Sequence, residues 1–418
     1  MDTAAQTRLA KIYDPWAPDQ RAWPYSVYAL AMKEAPVFLS SKVLRDGREV
    51  WVVTGYDLVA EAAADGERFS SSVALMPTFE VDEDAAKVLA MGERVLTIVE
   101  VDGADDHRRA SGPFKRIISP PTVVGYEPFI RATVEELIDR MVAKGERQAD
   151  VIAEFCHELP FRVINHLWGI DPADYGQIRE WCEAWMRFLS TDLDAGGQVE
   201  AAKGMAAYFG YMAELVRYRL GHPRDDDLVT ILARHREGDL DPLNTAELVN
   251  NLAGILLAGH VTTTTLLGNA LHILLDQRRF WDGIIANPAG IPAIVEETLR
   301  YDTPTKSFFR VATTDTSLGG AEIPRGSILQ LCFGSGNHDP AKFKNPEVFD
   351  PEEPRSTPLL SFGWGTHYCI GAPLARAQAQ IALEALSRRL PGLRLAQQEY
   401  SYLPMVILHG LERLLVEW

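Results

Sequence analysis

The residues with the clearest potential for chemistry lie in one short segment, SFGWGTHYCIGAPLAR, from Ser361 to Arg376. Cys369 stands directly before a helical run that contains Pro373, so free backbone N–H groups and the positive end of a helix dipole are expected near its sulfur. Such surroundings favour thiolate over thiol. Glycines on both sides of the cysteine clear space for a large flat group, and His367 can donate a hydrogen bond to an anion on that group.

The chemical role of Cys369 stays open at this level. A thiolate in a loop cleared by glycines suits a metal cofactor or a nucleophile, and a buried structural cysteine in a turn is the third interpretation. The other cysteines, Cys156, Cys182 and Cys332, lie far apart and form no C-x-x-C pair. Their spacing fits neither a disulfide framework nor a structural zinc site.

Helical periodicity dominates two parts of the sequence, at about 122–300 and 373–390. Up to about residue 275, breaks at Gly/Pro turns divide it into five or six consecutive helices. The longest, from about Thr245 to Asp276, would extend roughly 45 Å. A membrane span is the alternative for this run, but His260 and four threonines interrupt it and no basic residues flank it.

Strand-type sequences are confined to shorter stretches. Residues 36–60 and 305–335 are rich in β-branched and aromatic residues, and the first hundred residues mix a short helix with such runs. No internal repeat or long linker is evident. We therefore expect a single domain over residues 1–418, mainly α with small β-sheets, an α+β fold class.

The composition indicates a folded protein with a large core. The chain has 418 residues, 47% of them hydrophobic, and a formal net charge of −17. The negative charge argues against a nucleic-acid partner. The N-terminal sequence lacks the features of a signal peptide, so we expect a cytoplasmic, monomeric protein that does not enter a membrane.

The cysteine segment resembles the haem-binding loop of the cytochrome P450 superfamily, especially its bacterial members, which often read Phe-Gly-x-Gly-x-His-x-Cys-x-Gly-x-x-Leu-Ala-Arg. Nine positions match at fixed spacing: Phe362, Gly363, Gly365, His367, Cys369, Gly371, Leu374, Ala375 and Arg376. Other segments agree in the expected order. Glu297 and Arg300 resemble the family's Glu-x-x-Arg ion pair, which Arg355 would join, and Arg310 resembles its propionate-binding arginine.

The resemblance implies the cytochrome P450 fold, with a long central helix over haem b and the cysteine loop beneath it. It makes Cys369 the thiolate ligand of the iron. It also assigns haem-binding roles to His107, Arg310, His367, Phe362, Gly363 and Gly371. The implied activity is a monooxygenase that inserts one oxygen atom of O2 into a small hydrophobic organic substrate.

Electrons are expected from a separate ferredoxin and its reductase, because residues 1–418 contain no dinucleotide-binding or flavin-binding fingerprint. Five cations could form a local basic face for an acidic ferredoxin: Arg108, Arg109, Lys115, Arg116 and Arg376. Ordinary solvated surface charge is the alternative for this group.

The long helix departs from the family at one position. The family usually reads Ala-Gly-x-(Asp or Glu)-Thr, whereas this chain reads Ala258-Gly-His-Val-Thr262, with Val261 in place of the acid. Valine cannot transfer a proton. The proton relay is therefore expected to use one of three groups: Thr262 with water, close to Gly259; His260; or a polar group of the substrate. Desaturation, ring formation, coupling or peroxide-driven chemistry is the alternative, followed by a non-catalytic haem protein and a thiolate enzyme without haem.

A second departure follows Asp102. The motif there aligns His107 with the propionate-binding histidine of the family but places Ser111 where an arginine is expected, so Arg109 is considered as its replacement.

The substrate pocket is expected to be apolar, since most of the segments that should wall it are apolar or aromatic. Its candidate residues are Ala258, Val261, Lys306, Phe308 and Met405. Lys306 would anchor a carboxylate if it points inward, and otherwise it is a surface lysine.

Overall fold

The computed structural model describes residues 3–90, 95–190, 193–224, 227–236 and 238–418. Helices dominate these ranges. The α-helices are α1 (Thr3–Ile12), α2 (Pro18–Ala22), α3 (Tyr25–Glu34), α4 (Tyr56–Ala64), α5 (Glu83–Ala90), α6 (Ala104–Ile117), α7 (Pro120–Ala143), α8 (Glu158–Leu167), α9 (Tyr175–Ser190), α10 (Ala195–Gly221), α11 (Leu228–Arg234), α12 (Thr245–Asp276), α13 (Arg278–Ala286), α14 (Ile291–Tyr301), α15 (Phe333–Asn337) and α16 (Ala372–Arg389).

The strands are short and form small sheets. They are β1 (Val37–Ser40), β2 (Val50–Val53), β3 (Phe69–Ser70), β4 (Gln148–Asp150), β5 (Phe308–Ala312), β6 (Thr316–Leu318), β7 (Ala321–Ile323), β8 (Ile328–Leu331), β9 (Arg394–Leu395) and β10 (Leu415–Glu417). One sheet has the order β1-β2-β8-β5-β3, in which only β2 and β8 run parallel. The others are β4-β10-β9 and the hairpin β6-β7.

Helix α12 lies in the main hydrophobic core and packs against α8, α10, α14 and α16. Its start is fixed by a capping box, in which Asn244 and Glu247 bond each other's backbone N–H groups at 2.9 and 2.8 Å. None of the described helices combines the length and the apolar character that a membrane crossing requires.

The predicted class, mainly α with small β-sheets, is confirmed, and the five or six helices expected between residues 122 and 275 correspond to the six helices α7 to α12. For the first hundred residues, the expectation of one short helix among strands is wrong. Five helices, α1 to α5, occupy that region among only three short strands. Tyr25 and Tyr28 of α3 and Phe38 of β1 belong to one buried cluster, so aromatic residues in this region serve helices as well as strands.

Candidate functional site

A cavity, called here the central cavity, lies between the middle of α12 and the loop that carries Cys369. Most of the predicted site residues line it: His107, Ala258, Gly259, Val261, Thr262, Phe308, Arg310, Phe362, Gly363, His367, Cys369 and Gly371. Apolar side chains such as Ile98, Trp185 and Leu189 complete much of the wall. The fold therefore brings residues far apart in the sequence around one space.

The side chain of Cys369 is open to this cavity, whereas Cys156, Cys182 and Cys332 are buried. Burial raises the pKa of the Cys369 thiol above its ordinary value, although the backbone N–H groups of Gly371 and Ala372 at the start of α16 act against this shift. The N–H groups at the start of α16 thus act in the direction that the sequence predicts, against the desolvation of the sulfur. A coordinated metal cation would deprotonate the thiol.

The backbone of the loop depends on glycine. Gly363 and Gly365 have φ values of 72° and 70°, in the left-handed region. A Cβ at Gly365 would lie only 2.9 Å from the Cα of Ala64. The N–H of Cys369 donates to the carbonyl of Phe362 at 2.8 Å, which closes the loop around the cysteine.

One end of the central cavity carries cationic and imidazole groups. The Arg310 side chain is buried, and desolvation lowers the pKa of its guanidinium to about 10. The ring of His107 lies 4.7 Å from that of His367, and desolvation lowers the pKa of His107 to about 4. The Nδ1 atom of His367 has no hydrogen-bond partner among the described residues.

Asp102 and Ser71 contact His367 from outside the lining of the central cavity, and sequence reasoning assigned neither a role. Nε2 of His367 lies 3.1 Å from Ser71 Oγ and 3.3 Å from Asp102 Oδ1. Burial raises the pKa of Asp102, but hydrogen bonds from His367, Ser70 and Ser71 outweigh it and hold that pKa well below its ordinary range. Ser71 is about thirty residues from Asp102, so no local pattern links them.

These features fit the haem b that the cysteine motif implies. The open thiol can ligate a metal, and the glycine loop leaves room beside it for a flat ring. The buried guanidinium of Arg310 and the unpaired Nδ1 of His367 suit carboxylate groups such as haem propionates.

The face of α12 toward the central cavity carries Ala258, Gly259 and Thr262. Thr262 Oγ1 donates to the carbonyl of Ala258 at 2.7 Å. His260 does not line this cavity, which corrects the prediction that it could serve the relay. At 100° per residue it projects from the opposite side of the helix, where its ring packs 4.1 Å from that of His157.

Two pocket candidates are also corrected. Lys306 is neither a carboxylate anchor nor a surface lysine, because its side chain is 1% exposed and absent from the lining of the central cavity. Its neighbours Pro304 and Thr305 line that cavity instead. Burial lowers the pKa of Lys306 to about 8. Met405 lines a different cavity, together with His260.

Arg109 is not a replacement for the arginine missing at Ser111. It forms a two-pronged ion pair with Glu247 at the start of α12 and lies outside the lining of the central cavity. Two more of the five predicted basic-face residues also form ion pairs, Arg108 with Asp105 and Arg376 with Glu296. The remaining two, Lys115 and Arg116, are exposed.

The Glu297–Arg300 pair is buried in α14, with side chains 2% and 4% exposed and a closest N–O distance of 2.8 Å. Arg355 adds a 2.6 Å contact to Glu297, and Arg300 also donates to three backbone carbonyls in the segment before the cysteine loop. The cluster therefore ties that segment to α14. Ser361, which donates to Leu299 at 2.7 Å, ties the loop itself to the same helix.

Gln378 is a lining residue that sequence reasoning missed. It lies on α16, two turns beyond the cysteine loop, and its side chain is 2% exposed. Its Oε1 has no hydrogen-bond partner within the described ranges. The available signal was a single polar residue on the apolar face formed by Leu374, Ala375 and Ala382.

Comparison with known proteins gives concordant matches. The family model described as "Cytochrome P450" matches residues 291–390. The chain is 33% identical to the "Biotin biosynthesis cytochrome P450" of Bacillus subtilis, over 94% of this chain and 95% of that protein. It is 31% identical to "Cytochrome P450 monooxygenase PikC" of Streptomyces venezuelae, over 96% and 92%. The solved P450 heme domain of Tepidiphilus thermophilus superposes with a TM-score of 0.91 at 29% identity, covering 99% of this chain and 98% of that one.

Proposed function

Because the chain belongs to the cytochrome P450 family and is a haem b monooxygenase, we propose that it oxygenates a small, neutral, hydrophobic organic molecule in the central cavity. The observation that carries this proposal is the lining of that cavity. The accessible cysteine, the Gly259–Thr262 segment of α12 and largely apolar side chains together surround this one cavity.

In this proposal Cys369 ligates the iron, and Phe362, Gly363 and Gly371 form the surface against the ring. His107, Arg310 and His367 hold the haem propionates. The Glu297–Arg300 pair keeps the segment before the cysteine loop in place. A thiolate-ligated haem activates O2 and favours cleavage of the O–O bond. The remaining steps depend on how the protein's own side chains position the substrate, exclude water and handle protons.

The substrate class follows from the walls. Ile98, Trp185, Leu189 and Phe308 offer apolar contacts. Among the described lining residues no Asp, Glu or Lys occurs, and the one cation, Arg310, is assigned to haem. A charged substrate would therefore enter without a partner, which is unfavourable in an apolar site. A neutral molecule that reacts by hydroxylation fits best.

Proton handling is the step at which this chain differs from its family. Thr262 has an exchangeable proton beside the central cavity, which it donates to the carbonyl of Ala258, whereas Val261, at the position of the usual acid, has none. This observation supports a second candidate, in which the enzyme performs desaturation, ring formation, coupling or a peroxide-driven reaction. The ratio of oxygenated product to peroxide released separates the two candidates.

For electron supply we propose a separate ferredoxin with its reductase. The exposed Lys115 and Arg116, at the end of α6, offer unpaired positive charge to an acidic partner, since the described residues give neither an ion pair. Changing both to glutamate should slow reduction by ferredoxin without altering substrate binding.

The test of the proposed function is a substrate screen followed by turnover. Neutral hydrophobic compounds are screened for displacement of iron-bound water, seen as a spin-state shift, and ligands are then incubated with a surrogate ferredoxin, its reductase and NADPH. The proposal expects oxygenated product from at least one ligand. Binding without any product would instead support a non-catalytic haem protein.

A further inference from the structure

A short turn of residues 97–100, called here the covering turn, forms part of the wall of the central cavity. Thr97, Ile98 and Val99 line that cavity, in the irregular segment between α5 and α6. Glu100 folds the turn on itself, because its Oε2 accepts hydrogen bonds from the N–H and the hydroxyl of Thr97 at 3.0 and 2.9 Å. The N–H of Glu100 donates to the carbonyl of Thr97 at 2.9 Å. The covering turn is therefore a compact unit, and its place in the cavity wall depends on what it is attached to.

Asn251 of α12 attaches the covering turn to the long helix. It is 2% exposed, and its Oδ1 accepts a hydrogen bond from the N–H of Ile98 at 2.8 Å. Its Nδ2 donates to the carbonyl of Glu247, one turn earlier, at 2.8 Å. The methyl group of Thr97 lies beside Gly254, where a Cβ would be 3.6 Å from it. The covering turn thus packs directly on α12, and both ends of the buried amide are hydrogen-bonded, as burial requires.

Asparagine is an unexpected residue at position 251, because it is unfavourable inside helices and seldom fully buried. The face of α12 that carries Asn251 also carries Gly254, Ala258 and Thr262, which line the central cavity as well. Along the helix axis Asn251 precedes Thr262 by about 16 Å, so the two residues lie at different ends of this face. The hydrogen bond to Ile98 gives a physical reason for an amide at this position.

Loss of the acceptor on Asn251 would change the position of the covering turn. The N–H of Ile98, a residue that is only 9% exposed, would be left unpaired, and an unpaired buried donor costs free energy. Movement of the turn away from α12, until water reaches this N–H, relieves that cost. Ile98 and Val99 offer apolar contacts to a molecule in the central cavity, so the movement alters how that molecule is held.

We propose that Asn251 is a positioning residue of the oxygenation site, which acts through Ile98 to hold the covering turn on α12. This role, which rests on the proposed function, has two consequences. A hydrophobic molecule leaves the central cavity slowly while the turn is held, and its orientation is fixed in part by Ile98 and Val99. Reaction rates are sensitive to displacements of about 1 Å in a bound substrate, so Asn251 also influences which atom of the substrate is oxygenated.

The test compares the haem-bound wild type with Asn251→Ala, Asn251→Asp and the matched control Asn165→Ala. Asn251→Asp keeps an oxygen that can accept from the N–H of Ile98. Asn165 is a buried asparagine of α8 that donates to the carbonyl of Phe161 at 2.7 Å, as Asn251 does within α12, but it lies outside the lining of the central cavity. Mass spectrometry measures hydrogen exchange in the segment 95–103, and stopped-flow absorbance measures the release of 4-phenylimidazole from the iron.

We expect Asn251→Ala to raise both the exchange rate and the release rate about tenfold, through loss of one buried hydrogen bond. Asn165→Ala should leave both rates close to those of wild type, and Asn251→Asp should restore them. With a substrate from the screen, Asn251→Ala should also change the ratio of product regioisomers, whereas Asn165→Ala should not.

Equal exchange and release rates in wild type and Asn251→Ala would overturn the proposal, and so would equal acceleration by Asn165→Ala. Haem content and thermal unfolding identify a variant that fails to fold. In that case the wild type decides, because rapid exchange of the Ile98 N–H would by itself contradict its bond to Asn251. Exchange and release need no turnover, so their result is distinct from a screen that yields no product, which would count against the proposed function alone.

Discussion

Oγ1 of Thr262 donates a 2.7 Å hydrogen bond to the carbonyl of Ala258, one turn earlier in α12. This bond uses the only proton of the hydroxyl. Toward the central cavity the oxygen can therefore accept a hydrogen bond, but it donates only after the bond to Ala258 opens. Because Val261 carries no proton, the proposed relay through Thr262 requires this bond to open.

Removal of the Thr262 hydroxyl should uncouple oxygen consumption from product formation. We expect Thr262→Ala to lower the product formed per O2 consumed by roughly a hundredfold, the lower end of what acid–base groups contribute, with peroxide making up the difference. Thr262→Ser keeps the hydroxyl and serves as the control. Val261→Asp, which adds an acid, should raise the product yield. Full coupling in Thr262→Ala would mean that protons arrive by another route.

Truncation of Glu297 should destabilise the protein strongly. Glu297→Ala leaves the Arg300 guanidinium buried without its carboxylate, and breaking a buried pair in this way costs about 3–5 kcal/mol. Urea unfolding measures the loss. Asp105→Ala removes the partner of the exposed Arg108 and should cost less than about 1 kcal/mol. Similar losses in the two variants would contradict a special role for the buried cluster.

The burial of Lys306 should appear as a pH-dependent stability. Its pKa of about 8 in the folded protein lies below the ordinary value of 10.5, so between these values the unfolded chain binds more protons and stability rises with pH. Lys306→Met should remove this rise, of about 3 kcal/mol, and stabilise the protein below pH 8. Urea titrations of both proteins across this window measure the difference.

A persistent rise in Lys306→Met would assign the effect to other groups. Because Lys306 lies outside the lining of the central cavity, substrate affinity should be unchanged in the same variant. A large loss of affinity would instead return Lys306 to the substrate pocket.

Arg310 should matter for haem retention. We expect Arg310→Ala to release haem to excess apomyoglobin about tenfold faster, because a hydrogen bond to a charged group contributes about 1.5–3 kcal/mol. Arg325→Ala, which changes an exposed arginine at the end of the β6-β7 hairpin, is the matched control. Equal release rates in the two variants would exclude Arg310 as a propionate ligand.

The sequence predicted the parts of the site that lie close together along the chain. The cysteine loop and the Glu297–Arg300 pair are local patterns, so residues that are neighbours in the sequence are also neighbours in the structure. His260 was misplaced because the motif was considered as a string, although helical geometry already separates it from Thr262 by about half a turn. Lys306 lies in irregular backbone before β5, so no periodic pattern in the sequence fixes the direction of its side chain. The contact of His367 with Asp102 and Ser71 joins three distant segments that only the tertiary fold brings together.

The central claim, that Cys369 ligates haem iron as a thiolate, is tested most directly by the reduced, carbon-monoxide-treated absorption spectrum. Wild type and Cys182→Ser, which changes a buried cysteine outside the central cavity, should both show the strongly red-shifted Soret band of thiolate ligation, and Cys369→Ser should lose it. A wild-type spectrum without that band, or a Cys369→Ser spectrum that retains it, would contradict the account.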